Sequence, residues 1–148
     1  MQNHDIRVLN DLIETTIDSA DGYAEAAKEA RSNRFSLTFR ERANERRQLA
    51  TRLQQQVEAL GGTPEDDGSV LASAHRMFTN LRRSLTSESA VVDEVERGED
   101  HIKHRFEDAL EDTDVSPPIH AVIADAYQAV KSGHDQMRDL KHAVHSAR

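Results

Sequence analysis

Runs of apolar side chains at helical spacing constrain the fold of this chain more than any other feature. In the first run Ile6, Leu9, Ile13 and Ile17 recur every three or four residues, so they lie on one face of a helix. Four such runs are long, and each is sufficient for a helix of about 24–30 residues that spans roughly 36–45 Å. The pattern predicts an all-α protein in which each helix buries one apolar stripe.

Local stop and start signals set the predicted helix boundaries. Gly61 and Gly62 end the second run, and Pro64 follows just beyond them. Ser116 and Pro117 supply a capping hydroxyl and a proline at the first helical position. The predicted helices cover approximately residues 5–31, 33–60, 69–85, 88–112 and 117–146.

The short helix predicted over 69–85 indicates how the long helices connect. Two long hairpins joined by such a crossover give a ferritin-like antiparallel four-helix bundle, in which one crossover links the second and third long helices. The alternative is that the third and fourth runs form one kinked helix of a plain up-and-down bundle. We prefer the crossover because Thr86-Ser87-Glu88-Ser89 has the composition of a stop followed by a restart. The 148 residues fit a single domain of this kind.

Composition and charge exclude several classes of function. The absence of Cys excludes disulfides, zinc-thiolate sites, iron–sulfur clusters and thiol catalysis. The net charge of −8 argues against binding to nucleic acid or to an anionic membrane, because both require a positive surface. The polar N-terminus and the lack of a long apolar stretch predict a cytoplasmic protein. Arg outnumbers Lys by 15 to 4, which either codon bias or the salty cytoplasm of a halophilic source would produce.

Charged residues interrupt the apolar stripes near the middle of the long helices. Placed at about 100° per residue, Arg42, Arg46 and Glu99 point towards the core, and His134 points inward to one side. An acidic row on the first helix lies farther from the stripe and consists of Glu14, Asp18 and Glu25. The predicted polar layer consists of Asp21, Arg42, Glu45, Arg46, Glu99 and His134.

Folding each hairpin about its turn brings these residues to a similar depth in the bundle. Turns near residues 33 and 115 place Asp21 level with Glu45, and Glu99 level with His134. A glycine inside a helix costs about 1 kcal/mol relative to alanine, but it allows either close backbone approach or local unwinding of the helix. Three helix-interior glycines each adjoin a member of the layer: Gly22, Gly98 and Gly133.

Two hypotheses explain the polar layer. The first is a metal site, since carboxylate and imidazole groups suit iron, manganese or zinc, and its candidate ligands are Glu99, His134, Glu45 and Asp21. Di-iron bundles use Glu-x-x-His pairs, which this chain lacks. The second is a buried ion-pair network in which Arg42 and Arg46 neutralise the carboxylates, with Arg46 as a bidentate partner of Glu99. We prefer the network, without a cofactor, because a guanidinium and a metal cation repel each other.

Several short motifs resemble a known family along nearly the whole chain. They begin with Leu9-Asn10-Asp11-Leu12-Ile13-Glu14 and Asp18-Ser19-Ala20-Asp21-Gly22-Tyr23 and continue through Gly61-Gly62-x-Pro64, Gly68-Ser69, His75-Arg76, Glu96-Arg97-Gly98-Glu99-Asp100 and His134-Asp135. The chain resembles a bacterial family of ferritin-like four-helix-bundle proteins catalogued as domain of unknown function 2383. The resemblance implies no particular activity, but it places Glu99 and His134 within motifs of the family.

The sequence thus favours a non-enzymatic helical-bundle protein over an enzyme. We expect it to form homo-oligomers and to bind neither nucleic acid, nor membranes, nor a small-molecule substrate. A stress-related role follows only by analogy with other ferritin-like bundles. The alternative function is that of a metal-binding carboxylate bundle that handles iron, manganese or zinc.

Overall fold

Four α-helices make up most of the described part of the chain, which in this computed structural model comprises residues 2–29, 33–68 and 88–146. They are α1 (Gln2–Glu29), α2 (Asn33–Ala59), α3 (Glu88–Glu111) and α4 (Pro117–Ser146), and these ranges contain no strand. The all-α prediction, with four long helices, is confirmed. The crossover helix predicted over 69–85 lies outside the described residues. None of the described helices combines the length and apolarity needed to cross a membrane.

The end of α2 shows why Gly61 and Gly62 stop this helix. The N–H of Gly61 donates to the carbonyl of Glu58 at 2.9 Å, and that of Gly62 donates to the carbonyl of Val57 at 3.0 Å. This pair of bonds satisfies the last carbonyls of the helix, and it requires a residue with positive φ, which is Gly61 at 81°. A Cβ on Gly62 would lie 2.9 Å from Cδ1 of Ile6, so the turn also packs tightly on α1.

The start of α4 is tied to the start of α1. The N–H of His120 donates to the carbonyl of Ser116 at 2.8 Å, which is the first helical bond of α4. The hydroxyl of Ser116, predicted as a cap, instead donates to Oδ2 of Asp5 at 2.7 Å, and the N–H of Ser116 donates to Oδ1 of Asp5 at 2.9 Å. Asp5 is buried, so this two-bond contact fixes α4 against α1.

The polar segment after α2 follows the surface of α1. Asn10 donates to the carbonyl of Thr63 at 3.2 Å and accepts from the N–H of Glu65 at 2.9 Å. Farther along, Gly68 lies against Ile17 and Asp18 of α1. Asp18, predicted to lie in an outer acidic row, is therefore buried, because this linker passes over it.

The helices pack in pairs, α1 on α2 and α3 on α4, and α1 also packs on α3. Residues of α1 and α2 meet in opposite order along the chain. Ser36 donates to the carbonyl of Ala27 at 2.9 Å near one end, and Arg46 contacts Ser19 near the middle. The turn after α2 then reaches Ile6 at the other end.

The buried apolar residues of the described ranges form two clusters separated by a polar layer. The larger cluster contains Leu9, Leu12, Ile13, Leu49, Leu53, Val57, Ile102, Phe106, Ala109, Val115, Ile119, Ile123, Ala126 and Val130. The smaller cluster contains Tyr23, Ala26, Ala27, Phe35, Phe39, Ala43, Val91, Val92, Val95 and Met137. Each helix therefore crosses from one cluster to the other near its middle, and Ser19, Arg46, Glu99 and Gly133 lie at these crossing points.

Candidate functional site

A buried ion pair between α2 and α3 forms the centre of the polar layer. Nη2 of Arg46 lies 2.9 Å from Oε1 and 3.0 Å from Oε2 of Glu99, and both side chains are almost fully enclosed, with 0% and 1% of their surface exposed. Burial by itself lowers the pKa of Arg46, but the charge and hydrogen bond of Glu99, together with Tyr23 and the charge of Glu45, outweigh it and raise that pKa above its ordinary value. Arg46 therefore stays a cation at every pH at which the fold exists.

Two side chains of α1 complete this centre. Nη1 of Arg46 donates to Oγ of Ser19 at 3.0 Å, and the hydroxyl of Tyr23 donates to Oε1 of Glu99. The guanidinium carbon of Arg46 also lies 5.8 Å from the centre of the Tyr23 ring, within the range of a cation–π contact. Burial, followed by the charge of Glu99, raises the pKa of Tyr23 well above its ordinary value, so the phenol keeps its proton and remains a donor.

A second arginine extends the layer towards the surface. Nη1 of Arg42 lies 2.6 Å from Oε1 of Glu45, one turn farther along α2, and Nη2 donates to the side-chain oxygen of Gln136 on α4. Arg42 is buried, whereas Glu45 is partly exposed. Among the described residues, the Nε–H groups of Arg42 and Arg46 have no acceptor. The layer thus holds two guanidinium groups that its carboxylates neutralise but do not fully hydrogen-bond.

Gly133 of α4 makes room for both arginines. A Cβ at this position would lie 2.4 Å from Nη2 of Arg46 and 3.1 Å from Nη1 of Arg42. Since real Cβ atoms do not approach that closely, any larger residue would have to displace Arg46. The close approach predicted for this glycine is a contact with two guanidinium groups.

The four candidate metal ligands occupy different places. Glu99 is in the buried centre with Arg46, and Glu45 is paired with Arg42. Asp21 lies on the surface, where Oδ1 is 3.3 Å from Nη1 of Arg47. His134 is mostly buried at the edge of the layer, and its Nε2 lies 2.6 Å from Oδ1 of Asp100. The structure pairs Glu99 with Arg46 and Glu45 with Arg42, and it does not bring these four residues together as one ligand set.

A different set of ligand groups converges beside the layer, between α3 and α4. Glu96, Asp100 and His134 offer a carboxylate or imidazole atom each, and these atoms lie within 4.8 Å of one another. Lys141 supplies a cation at the same place, with Nζ 2.7 Å from Oε2 of Glu96. The hydrogen bond to Glu96 raises the pKa of Lys141.

A second converging set lies at the far end of α3. His4, Asp112 and Asp114 also offer ligand atoms within 4.8 Å of one another. Oδ1 of Asp112 accepts the N–H of Asp114 at 2.9 Å, and Oδ2 contacts Nε2 of His4 at 2.8 Å. These two hydrogen bonds, that of the backbone first, lower the pKa of Asp112. The group is accounted for by the turn between α3 and α4, which it closes against α1.

Three members of the layer were not predicted from the sequence. Ser19 and Tyr23 lie one turn apart beside Ala20, which belongs to the predicted stripe. Their spacing could therefore have predicted that both side chains are buried. Gln136 is exposed and lies outside the stripe, and only the position of Arg42 on another helix brings it into the network.

At the centre of the layer, Arg46 neutralises Glu99, and Arg46 and Tyr23 donate hydrogen bonds to it, so these side chains can stabilise the packing of α1, α2 and α3.

Comparison with known proteins identifies the family. The family described as "Domain of unknown function (DUF2383)" matches residues 4–112, about three quarters of the chain. The search of curated proteins found no match. The matched range contains Ser19, Arg46 and Glu99. The chain belongs to this family of unknown function.

Proposed function

We propose that this chain is a non-enzymatic helical-bundle protein of the bacterial cytoplasm that acts by self-association and uses its buried polar layer to fix the packing of its helices. One observation carries the proposal. The guanidinium of Arg46 occupies the middle of the bundle, where it contacts Glu99, Ser19 and the ring of Tyr23. A stress-related role is an extension of this proposal by analogy with other ferritin-like bundles.

The proposal includes the ferritin-like antiparallel arrangement. It is supported by the opposite order in which α1 and α2 meet, from Ser36 with Ala27 to Gly62 with Ile6. It is also supported by residues 62–68, which run back along α1 towards its middle, as the first part of a long crossover would do. A crossover in this position returns the chain to the end of the bundle at which α3 begins.

The chemistry of the centre argues against a metal at Glu99. A metal cation there would lie within a few ångströms of the Arg46 guanidinium, in an environment where charges are weakly screened. Both carboxylate oxygens of Glu99 already accept hydrogen bonds, from Arg46 and from Tyr23. The residues present therefore fit a self-neutralised network better than a carboxylate-bridged centre.

Metal analysis of the protein purified without a histidine tag tests this proposal. We expect no iron, manganese or zinc that depends on Glu99, either as purified or after reconstitution. The variants for comparison are Glu99→Gln and, as a control on the same helix, Asp108→Asn. About one or two equivalents of metal that are lost in Glu99→Gln and kept in Asp108→Asn would contradict the proposal.

A second function is favoured by the group of Glu96, Asp100 and His134. Two carboxylates and one imidazole suit manganese, iron or zinc, and their spacing is compatible with a shared ion. Lys141 competes with such an ion because it already neutralises Glu96. We therefore propose, as the alternative, a metal-binding bundle whose ion lies between α3 and α4 and not at Glu99.

Isothermal titration calorimetry with Mn²⁺ and Zn²⁺ distinguishes this metal-binding alternative from a bundle without metal. It predicts one bound ion, whose binding is abolished by His134→Ala and unaffected by His104→Ala, an exposed histidine on α3. It further predicts that Lys141→Met raises the affinity, because the competing ammonium is removed. Equal binding by the wild type and His134→Ala would eliminate this site.

A further inference from the structure

A groove of about 470 Å³ lies between α2 and α4. Its floor is apolar and includes the buried side chains of Leu49, Leu53 and Ala126, while Arg52 and Asp125 are exposed on its opposite walls. Among the described helices, α2 and α4 approach each other less closely than the pairs α1–α2, α3–α4 and α1–α3 do. The groove is thus an opening in the packing along the face that α2 and α4 share.

The walls of the groove carry one charge of each sign, that of Arg52 on α2 and that of Asp125 on α4. In the part of the chain that the structure describes, neither Arg52 nor Asp125 makes a hydrogen bond or an ion pair, with each other or with any other residue. Many other exposed charges of these helices are paired locally, as Arg47 is with Asp21 and Lys131 with Asp135. An Arg and an Asp on facing walls therefore form a self-complementary pattern of charge.

The described part of the linker leaves this face open. Residues 62–68 follow α1, where they contact Ile6, Asn10 and Asp18. They therefore lead away from the α2–α4 groove. Arg52, Ala121 and Asp125 remain exposed to solvent.

We propose that the α2–α4 groove is a two-fold interface through which two copies of this chain associate. A two-fold axis that lies in the plane of this face, parallel to α2 and α4 and midway between them, places Arg52 of each copy opposite Asp125 of the other. Two Arg–Asp pairs then form across the interface. The helices of 27 and 30 residues are about 40–45 Å long. Side by side, roughly 10 Å apart, they present about 800 Å² per copy, the area of a standard interface. This inference rests on the proposed self-association and names the surface that performs it.

Charge reversal on each wall, measured by sedimentation equilibrium, tests the interface. We expect the wild type to be a dimer and Arg52→Asp and Asp125→Arg each to weaken association at least about tenfold, because like charges then face each other. An equimolar mixture of the two variants should recover the dimer. Arg52→Asp carries two negative charges at these positions and Asp125→Arg carries two positive charges, so the two variants attract each other.

Two control variants change the charge equally on other helices. Arg7→Asp on α1 and Asp108→Arg on α3 alter exposed residues away from the groove and should remain dimeric. A dimeric wild type whose groove variants also remain dimeric would overturn this interface and leave the proposed self-association standing. A mixture that fails to recover the dimer would overturn the Arg52–Asp125 pairing. A monomeric wild type would overturn both proposals.

Discussion

The side chain of Arg46 is fully enclosed, and Glu99 balances its charge at close range. Desolvation of two charges costs several kcal/mol, and their mutual attraction must offset that loss. A pair of this kind contributes little net stability compared with well-packed apolar residues. Removing only one partner is strongly destabilising, because the other charge remains buried.

Replacing Arg46 with methionine should therefore lower the free energy of unfolding by about 3–5 kcal/mol, since it leaves Glu99 buried without its cation. Thermal and urea unfolding would measure the change. The control Arg47→Met alters a half-exposed arginine one position away and should change stability by less than about 1 kcal/mol. The double variant Arg46→Met/Glu99→Gln should be more stable than Arg46→Met. Equal stability of Arg46→Met and the wild type would show that the pair is not buried.

Gly133 gives a second test of the same contact from the opposite helix. Alanine at an interior helix position normally stabilises by about 1 kcal/mol relative to glycine. At position 133 the added methyl group would displace Arg46, so we expect Gly133→Ala to destabilise by about 1–3 kcal/mol. In the Arg46→Met background the same substitution should be neutral or stabilising. A stabilising effect in both backgrounds would contradict the contact between Gly133 and Arg46.

Residue by residue, the sequence was informative where a side chain's direction depends on its own helix. The helical angle placed Arg42, Arg46 and Glu99 inward, and the structure buries all three. The same angle placed Asp18 outside, yet it is buried because residues near Gly68 pass over it. Burial by a segment some 50 residues away leaves no trace in the periodicity of α1.

At the scale of the helices, the contact between Asp5 and Ser116 connects the first helix with the last. Asp5→Ala should lower the free energy of unfolding by about 1–3 kcal/mol, because two hydrogen bonds to a buried carboxylate are lost. Asp11→Ala, at an exposed carboxylate of the same helix, is the control and should have a small effect. If Ser116→Ala and Asp5→Ala proved fully additive in a double-mutant cycle, the contact would not exist in solution.

The helix ends show which elements are set locally. α2 ends at Ala59, just before the turn at Gly61, and α4 begins at Pro117, just after Ser116. At both places single residues determine the backbone conformation. α1 begins at Gln2, three positions before the predicted start at Asp5. The apolar periodicity used to place that start begins only at Ile6, and the polar residues before it carry no such signal. The pairing of α1 with α3 likewise depends on tertiary contacts that no local pattern encodes.

At the scale of the whole molecule, the two tyrosines lower the free energy of unfolding at alkaline pH. A phenol whose pKa is raised in the fold keeps its proton there after the unfolded chain has lost it, above pH about 10. Stability therefore falls as pH rises through this range, by about 1.4 kcal/mol per pH unit for a fully buried tyrosine. Tyr23 is buried, so Tyr23→Phe should reduce this loss.

Ultraviolet titration of phenolate checks the assignment, because the chain has only Tyr23 and Tyr127. Burial and the hydrogen bond to Glu107 raise the pKa of Tyr127 to about 12, so Tyr23→Phe should show one phenol that titrates near this value. In Tyr127→Phe, phenolate should appear only when the protein unfolds. Reversible ionisation of Tyr23 near pH 10 in the folded protein would contradict its burial.

The division of the core by the polar layer has a consequence for how the molecule opens. Among the described residues, the two apolar clusters lie on either side of this layer and do not form one continuous apolar core. We therefore predict that the half that contains Phe35 and Phe39 opens while the half that contains Ile13 and Phe106 stays closed. Amide hydrogen exchange should then resolve two groups of rates within each helix, with the change at Ser19, Arg46, Glu99 and Gly133. Residues that look like a binding centre would in that case mark the boundary between two cooperative units of one bundle.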